Sequence, residues 1–146
     1  MTKIVYFSNI EEVILLHEKT IEISGGGTIG ILNLNSLLAA LEHIKNDDYY
    51  LTFEEKLTHL FFVANKGHCF NDGNKRIAIT LGSMFMLKNG YLVAAREFLF
   101  RMETISYHVA AGKISKEFLL ELISSIIHEP DFNEKLKLRL INSIDY

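Results

Sequence analysis

Apolar residues recur along the chain mainly with the spacing of α-helices. They return every three or four positions in seven segments, whereas the strict alternation typical of strands is nearly absent. The predicted helices cover about residues 9–23, 34–44, 52–66, 74–88, 95–110, 116–128 and 132–143. Residues 4–7 fit either a short strand or an apolar lead-in, and residues 91–93 fit a minor strand. This pattern predicts an all-α fold class, or nearly so.

Polar side chains and glycines mark the predicted helix ends. Three pairs have the spacing of a capping box, in which each side chain accepts from the other residue's backbone N–H: Ser8 and Glu11, Thr52 and Glu55, and Asp131 and Glu134. Either Asn33 or Asn35 is expected to cap the second helix. The three consecutive glycines 25–27 are expected to end the first helix, because glycine is costly to hold in helical conformation.

The predicted helix 74–88 is apolar nearly all round, unlike the others. Such a helix belongs in the interior, so we place it at the centre of the core. With 146 residues, of which 49% are hydrophobic, the chain can bury one sizeable core. We therefore expect a single domain over residues 1–146.

The charge balance excludes a generally basic surface. Fifteen Lys and Arg residues stand against 18 Asp and Glu residues, which gives a net charge of −3. No overall attraction to nucleic acid or to anionic lipid is expected from this balance. Any phosphate that the protein handles must therefore be bound by local geometry.

Cysteine content and apolar run length predict a cytoplasmic protein. The single cysteine, Cys69, cannot form an intramolecular disulfide. No apolar run approaches the roughly 20 residues of a membrane span. The first residues also lack the apolar core and cleavage site of a signal peptide.

Nine consecutive residues between the third and fourth predicted helices concentrate the candidate chemistry: His68-Cys69-Phe70-Asn71-Asp72-Gly73-Asn74-Lys75-Arg76. Backbone amides at the first turn of a helix, together with the helix dipole, form an anion site. Gly73 allows a tight turn, so that its amide and those of Asn74 and Lys75 could converge on one phosphate. Arg76 can add a bidentate contact to phosphate oxygens.

Two more residues of this segment supply what transfer from a nucleotide phosphate requires. Asp72 could hold Mg²⁺ against the phosphates, and His68 has the intrinsic pKa to take a proton from an attacking hydroxyl. The alternative is an ordinary turn over residues 71–74 that caps a helix, with Lys75 and Arg76 as surface charges. His68 and Arg76 on either side of the turn favour the functional interpretation.

The same nine residues resemble the signature of the Fic/Doc family, His-x-Phe-x-(Asp/Glu)-(Ala/Gly)-Asn-(Gly/Lys)-Arg, and match it at every constrained position. The resemblance extends over residues 7–128, where the His17-Glu18 pair, the segment 34–41 and the turn 112–115 look like the Doc (death-on-curing) branch. It implies an all-α helical bundle around a central buried helix, with a possible small β-hairpin flap. The predicted C-terminal helix, at residues 131–146, is not a usual part of the short Doc toxins.

The resemblance implies a role for each matching residue: general base for His68, loop anchor for Phe70, Mg²⁺ ligand for Asp72, anion hole for Gly73, Asn74 and Lys75, and a grip on a phosphate of ATP for Arg76. The glycine-rich segment 25–31 occupies the place of the family's flap. Within it, Gly27, Thr28 and Ile29 would align an extended piece of the target protein by strand-like pairing.

Lys75 bears on which reaction is expected. The AMP-transferring majority of the family has glycine there, whereas in the Doc branch lysine accompanies a reversed nucleotide and transfer of the terminal phosphate. The resemblance therefore implies a kinase acting on a hydroxyl of a target protein, elongation factor Tu for the Doc branch, with arrest of translation. Gly73 is more usual in AMP-transferring members, so AMP transfer is an alternative. A non-catalytic binding module and the use of another nucleotide are further alternatives.

A separate antitoxin protein is the expected regulator. Fic enzymes are commonly restrained by a helix with the motif (Ser/Thr)-x-x-x-Glu-(Gly/Asn). Ser125 and Glu129 have the first spacing, but Pro130 replaces the last residue, so we interpret Glu129 as a helix-end charge. The antitoxin would then supply an acidic helix near Arg76.

Other candidate residues are interpreted as structural. Cys69 is expected to be a buried, inert thiol. His17 is expected at a core or boundary position, and His43, His59 and His108 at surface or boundary positions. Core packing is expected for Phe98, Phe100 and Tyr107. A solvated loop is expected around Asp47, Asp48, Tyr49 and Tyr50.

Overall fold

The computed structural model describes residues 3–23, 27, 30–70 and 73–144, and within them most of the chain is helical. Seven α-helices follow one another: α1 (Ile10–Ile23), α2 (Asn35–His43), α3 (Phe53–Lys66), α4 (Asn74–Lys88), α5 (Leu92–Ala110), α6 (Lys116–His128) and α7 (Glu134–Ile144). The prediction of an all-α fold is confirmed. The described residues contain one isolated antiparallel bridge, between Ile31 and Phe70, and most of the segment predicted to form the flap lies outside them.

Helix α4 is the central helix, as its composition predicts. It packs against α1, α3 and α5, while α6 packs against α3 and α5. Its side chains Ile77, Leu81 and Phe85 are completely buried. A Cβ at Gly82 would lie 2.8 Å from ring atoms of Phe98, so glycine at this position lets α5 approach α4 closely.

The capping box predicted for α3 is present. Thr52 Oγ1 accepts from the backbone N–H of Glu55, and Glu55 Oε1 accepts from the backbone N–H of Thr52. The box predicted from Ser8 and Glu11 is wrong by one residue. Asn9 Oδ1 accepts from the N–H of Glu12, and Glu12 Oε1 accepts from the N–H of Ser8.

The capping predictions for α2 and α7 are also corrected. Leu34 is the N-cap of α2, although Asn33 Oδ1 still accepts from the N–H of Asn35 at 2.8 Å. At α7, Asn133 Oδ1 accepts from the N–H of Leu136, so Asn133 performs the capping expected of Asp131. Several neighbouring polar residues can serve as caps, and the packing of the helix decides which one does.

Of the two interpretations left open for residues 4–7, the structure fits the apolar lead-in, and the minor strand predicted at residues 91–93 is not present. Residues 4–7 are held instead by the side chain of Asn89, whose Oδ1 accepts from the N–H of Val5 and whose Nδ2 donates to the carbonyl of Val5. Residues 92 and 93 instead form the first turn of α5, with Leu92 67% and Val93 77% exposed. Their apolar character therefore reflects an exposed helix face.

The predicted C-terminal helix is present as α7. Leu136 is buried, and Arg139 makes a bidentate pair with Glu121 of α6, with both N···O distances 2.7 Å. The Arg139 guanidinium also lies over the Phe118 ring. No helix in the described part of the chain is both long and apolar enough to cross a membrane.

Candidate active site

The segment joining α3 to α4 turns back on itself through left-handed backbone conformations. His68 has φ +47° and is exposed, whereas the next two residues, Cys69 and Phe70, are each only 1% exposed. Histidine is one of the side chains that tolerate this region of φ and ψ better than most. The imidazole of His68 is therefore held at the surface by a loop whose next two residues are anchored in the core.

Gly73 is the N-cap of α4, with φ +75°. A Cβ at this position would lie 2.6 Å from Ile21 Cδ1, and 3.5 Å from both His17 Nε2 and an Arg76 guanidinium nitrogen. Both the backbone conformation and the close approach of α1 therefore require glycine here. The backbone N–H groups of Asn74 and Lys75 follow in the first turn of α4, where no carbonyl of the helix accepts from them.

The side chain of Asn74 closes the loop from inside. Its Oδ1 accepts from the N–H of Phe70 at 3.2 Å, and its Nδ2 donates to the carbonyl of Phe70 at 3.0 Å. Both ends of the amide are thus engaged with one backbone residue. In this arrangement Asn74 would reach a phosphate through its backbone N–H, while its side chain fixes the loop.

Phe70 occupies the core position expected of it, and it does so against a residue of α1. Its ring stacks on the imidazole of His17, with centroids 3.8 Å apart and planes inclined by 11°. His17 is 1% exposed. The sequence predicts a core or boundary histidine but not this stack. A signal is nevertheless present, because Val13, His17 and Ile21 are spaced by four residues and are the buried residues of α1.

The loop is also tied to the segment that precedes α2. The carbonyl of Cys69 accepts from the N–H groups of Leu32 (2.8 Å) and Asn33 (3.2 Å), and the Ile31–Phe70 bridge lies beside them. Cys69 Sγ lies 3.2 Å from Ser36 Oγ. The buried position of Cys69 agrees with its interpretation as a structural thiol.

Arg76 lines a groove between α1, α4 and α5, and Lys75 precedes it in the first turn of α4. Lys75 is exposed and Arg76 is partly buried. The groove has a volume of about 450 Å³ and is lined by Arg76 together with Leu16, Lys19, Thr20, Ile23, Ile79, Thr80, Leu99 and Glu103. Thr20 and Thr80 form a hydrogen bond between their hydroxyls at 3.1 Å, which joins α1 to α4 there.

Three of the predicted site residues, Asp72, Thr28 and Ile29, lie outside the described residues. Their roles as Mg²⁺ ligand and flap residues stay predictions. Gly27 is described, with φ +139° and an exposed position. The structure thus places Gly73, Asn74, Lys75 and Arg76 at one helix start, and the hydrogen bonds between Asn74 and Phe70 join that start to the loop that carries His68. It also ties the chain that follows residue 30 to the same loop.

For the residues interpreted as structural, some predictions are confirmed and others are wrong. Glu129 is the C-cap of α6, as expected of a helix-end charge. Phe98 is completely buried, but Phe100 is 72% and Tyr107 60% exposed, so their predicted core packing is wrong. They lie on the opposite face of α5 from its buried residues Phe98, Met102, Ile105 and Val109.

His128 and His59, outside the loop, each contact a side chain of another helix. No group of three or more His, Cys, Asp or Glu side chains that could hold a metal ion occurs in the part of the chain that the structure describes. His128 Nε2 lies 3.0 Å from Glu54 Oε1, and His59 is partly buried against Tyr50 and Lys116. The last contact was not anticipated from the sequence.

A comparison with protein families agrees with the geometry of this loop. A model described as the Fic/DOC family matches residues 6–86, more than half of the chain. The match includes α1, α2, α3 and most of α4, and with them the whole segment 67–76. No curated protein matches the chain significantly.

Proposed function

Because the chain belongs to the Fic/DOC family, whose members are typically transferases, we propose that it transfers the terminal phosphate of ATP to a hydroxyl of a target protein. The observation that carries this proposal is the start of α4, where an exposed Lys75 and a partly buried Arg76 follow a left-handed Gly73. Two cations beside unpaired helix amides suit a chain of phosphates.

The start of α4 supports phosphate binding through three additive terms. The N–H groups of Asn74 and Lys75 point out of the first turn, and the helix dipole places positive charge there. Arg76 can hold two phosphate oxygens at once, whereas Lys75 contributes a mobile point charge. A net charge of −3 over the molecule does not oppose this, because interactions beyond a Debye length of about 8 Å are largely screened.

The role of general base for His68 is supported by its exposed position on the loop that Asn74 of the same helix start binds at Phe70. In the proposed step, the target oxygen forms a bond to the terminal phosphorus while the bond to the bridging oxygen breaks. The proton of the hydroxyl passes to His68, and the nucleoside diphosphate leaves. The stack of Phe70 on His17 and the two hydrogen bonds from Asn74 hold the loop for this step.

Mg²⁺ is part of the proposal through Asp72. A carboxylate is the hard oxygen ligand that Mg²⁺ prefers, and one or two protein carboxylates plus substrate phosphates commonly complete its coordination. When bound, the ion would neutralise charge on the phosphates, whereas Lys75 and Arg76 bind and orient them.

AMP transfer is the second candidate, and Gly73 is the observation that favours it. The structure supplies another reason for that glycine, since φ is +75° and a Cβ would meet Ile21 Cδ1 at 2.6 Å. The left-handed backbone and the close packing of α1 thus favour glycine whichever reaction is catalysed. This leaves Lys75 as the residue that discriminates between the two reactions, and it supports phosphate transfer.

The proposed target is a translation factor, elongation factor Tu by resemblance, and the proposed biological role is that of a toxin. An extended segment of the target would pair with the segment around residues 27–31. Ile31 is 49% and Leu32 62% exposed, and the backbone N–H of Leu32 is bonded to the loop at Cys69. A target strand aligned there would approach the loop that carries His68.

The proposed regulator is a separate antitoxin with an acidic amphipathic helix. The groove beside Arg76 offers Lys19 as a further cation and exposed apolar side chains, including Ile23 (84% exposed) and Leu99 (49% exposed). A helix with apolar side chains on one face and carboxylates near Arg76 would complement both features. Its binding would also compete with the nucleotide for Arg76.

The discriminating experiment uses two radiolabelled forms of ATP. The protein is incubated with Mg²⁺ and a cell lysate containing ATP labelled at either the γ or the α phosphate. Label on a protein from γ-labelled ATP alone is expected. Label from the α position would establish AMP transfer instead, and no label from either form would favour the non-catalytic binding module or another nucleotide.

A further inference from the structure

Two bases and two aromatic rings form a compact cluster away from the loop between α3 and α4. This Lys116 cluster consists of Tyr50, His59, Phe62 and Lys116. Lys116 Nζ lies 2.7 Å from His59 Nδ1, and the hydroxyl of Tyr50 lies 3.2 Å from the same nitrogen. The Tyr50 ring stacks on the imidazole, with centroids 4.5 Å apart. Since two donors reach Nδ1, the proton of the neutral imidazole belongs on Nε2.

The amine of Lys116 lies among groups that do not stabilise its charge strongly. Among the described residues it makes no ion pair, and its hydrogen-bond partner is an imidazole nitrogen. It is the first residue of α6, at the positive end of the helix dipole. The faces of Tyr50 and Phe62, with ring centroids 5.4 and 5.9 Å from Nζ, offer only the weaker attraction of aromatic rings.

Protonation equilibria in the cluster are displaced toward neutral forms. Burial lowers the pKa of Lys116, and the nearby carboxylate of Glu117 opposes this in part. Burial, helped by the charge of Lys116 and by His43, lowers the pKa of His59 to about 4. The imidazole is therefore neutral at pH 7, and it becomes a stronger base once Lys116 loses its charge.

A cavity of about 190 Å³ gives access to this amine. It is lined by Lys116 and by Tyr49, Tyr50, Glu55, Thr58, Glu117 and Leu120. Tyr49 is 75% exposed, so the cavity lies at the surface. The carboxylates of Glu55 and Glu117 in its walls disfavour anionic reactants, whereas tyrosine and leucine side chains accept small neutral ones.

We propose that Lys116 is a site of covalent acylation by small, uncharged acyl thioesters, with His59 as the proton acceptor. The amine nitrogen attacks the thioester carbonyl carbon, a C–N bond forms and the C–S bond breaks. The thiolate leaves, and the proton released by the amine passes to His59 Nδ1 and then to the thiolate or solvent. The products are an amide on Lys116 and a free thiol, with no change of oxidation state.

The geometry explains why this lysine would react ahead of others. An ordinary lysine, with a pKa near 10.4, is a free amine in only about 0.04% of molecules at pH 7. Desolvation and a neighbouring base are the two established ways of raising that fraction or of assisting the attack. Lys116 has both, and exposed residues such as Lys3 and Lys135 do not have its aromatic and imidazole surroundings.

The test measures acetylation rates of individual lysines in the full chain. The protein is treated with the acetyl thioester of N-acetylcysteamine at several pH values, and each lysine is quantified by peptide mass spectrometry. Lys116 is expected to react at least about five-fold faster than Lys3 and Lys135 at pH 7.5. Its rate should also reach a plateau at lower pH than theirs. Equal rates for the three lysines would overturn the proposal.

Matched variants separate the chemistry from the fold. Lys116→Arg keeps a cation over Tyr50 and must lose the label at position 116 alone.

His59→Phe keeps a ring against Tyr50 and removes Nδ1, so Lys116 should slow to the rate of the exposed lysines while those are unchanged. If this variant unfolds, Lys56, which is 1% exposed in the folded protein, will react as fast as the exposed lysines. His59→Asn then serves, because Asn Oδ1 can accept a hydrogen bond but cannot take up the proton. An undiminished Lys116 rate in a folded His59 variant contradicts the role of His59. The assay contains no nucleotide, so its outcome is independent of the proposed transferase.

Discussion

The imidazole of His17 lies parallel to the ring of Phe70, with centroids 3.8 Å apart, and so joins the first helix to the loop that carries His68. Both side chains are 1% exposed. His17 Nε2 also lies 3.5 Å from the position of a Cβ on Gly73. One buried side chain of α1 thus contacts the loop at its anchor and approaches the helix start that would bind phosphate.

Removing this ring should loosen the loop. His17→Ala leaves a cavity beside Phe70, and we expect unfolding to become easier by about 2–4 kcal/mol. His17→Phe retains a flat ring for the stack and should cost less. Thermal melting of both variants checks the order. If the two melt alike, the stack does not stabilise the loop.

Replacing the proposed general base should separate catalysis from binding. His68→Ala is expected to abolish transfer of label while leaving nucleotide affinity largely in place. Because His68 has φ +47°, alanine also adds backbone strain of about 1 kcal/mol. His68→Asn is the better variant, since asparagine tolerates this conformation. Labelling and nucleotide titration are compared for both, and retained transfer by either folded variant would contradict the assignment.

Asn74 offers a test of the loop that does not depend on activity. Asn74→Ala removes both hydrogen bonds to Phe70 and should destabilise the protein by about 1–3 kcal/mol. Asn74→Asp keeps an acceptor for the N–H of Phe70 but loses the donor to its carbonyl. Hydrogen exchange of the Phe70 amide should therefore quicken in the alanine variant and stay slower in the aspartate variant. Equal exchange in the wild type and Asn74→Ala would show that other contacts close the loop.

Which features could be predicted depends on how local their causes are. The capping box of Thr52 and Glu55 lies within four residues, and the sequence identifies it correctly. The loop motif could likewise be identified from the sequence, because its residues are consecutive. The stack of His17 on Phe70 joins positions 53 residues apart, so no local pattern specifies it. Burial of His17 was still indicated by its spacing of four from Val13 and Ile21.

The sequence predictions were wrong for aromatic residues that lie on the exposed face of a helix. Phe100 and Tyr107 were expected in the core because they are aromatic, yet the helical period places them opposite Phe98. Conversely, Lys56 is only 1% exposed, and its Nζ donates to the Asp47 carboxylate and to the carbonyl of Ile44, both at 2.6 Å. Asp47 is exposed, as expected of a solvated loop, and its carboxylate also anchors this buried cation, which the sequence does not predict.

The lowered pKa of His59 predicts a loss of stability in mild acid. Its pKa is about 4 in the folded protein, against about 6.5 for an ordinary histidine, so the unfolded chain binds the proton more readily between these values. The stability associated with neutral His59 is complete above pH 6.5 and is lost as pH falls toward 4. Allowing for partial solvent exposure, we expect about 2 kcal/mol. Denaturant unfolding at pH 7 and pH 4.5 should show this loss in the wild type and less of it in His59→Phe. The same loss in both proteins would assign it to other groups.

Gly73 allows the two reasons for a glycine at the start of α4 to be separated. Gly73→Ala should be destabilising because φ is +75° and because the new Cβ would meet Ile21 Cδ1 at 2.6 Å. Ile21→Val removes that Cδ1 atom. In the double variant the clash disappears, whereas backbone strain of about 1 kcal/mol stays.

The double variant is therefore expected to be more stable than the sum of the two single effects predicts. A double-mutant cycle of unfolding free energies measures this coupling directly. Strict additivity would mean that α1 moves aside freely, and the packing argument for Gly73 would then fail. The labelling assay on the double variant adds a second readout. If glycine at position 73 is needed for the packing of α1, the double variant should still transfer label from γ-labelled ATP and should not transfer label from α-labelled ATP.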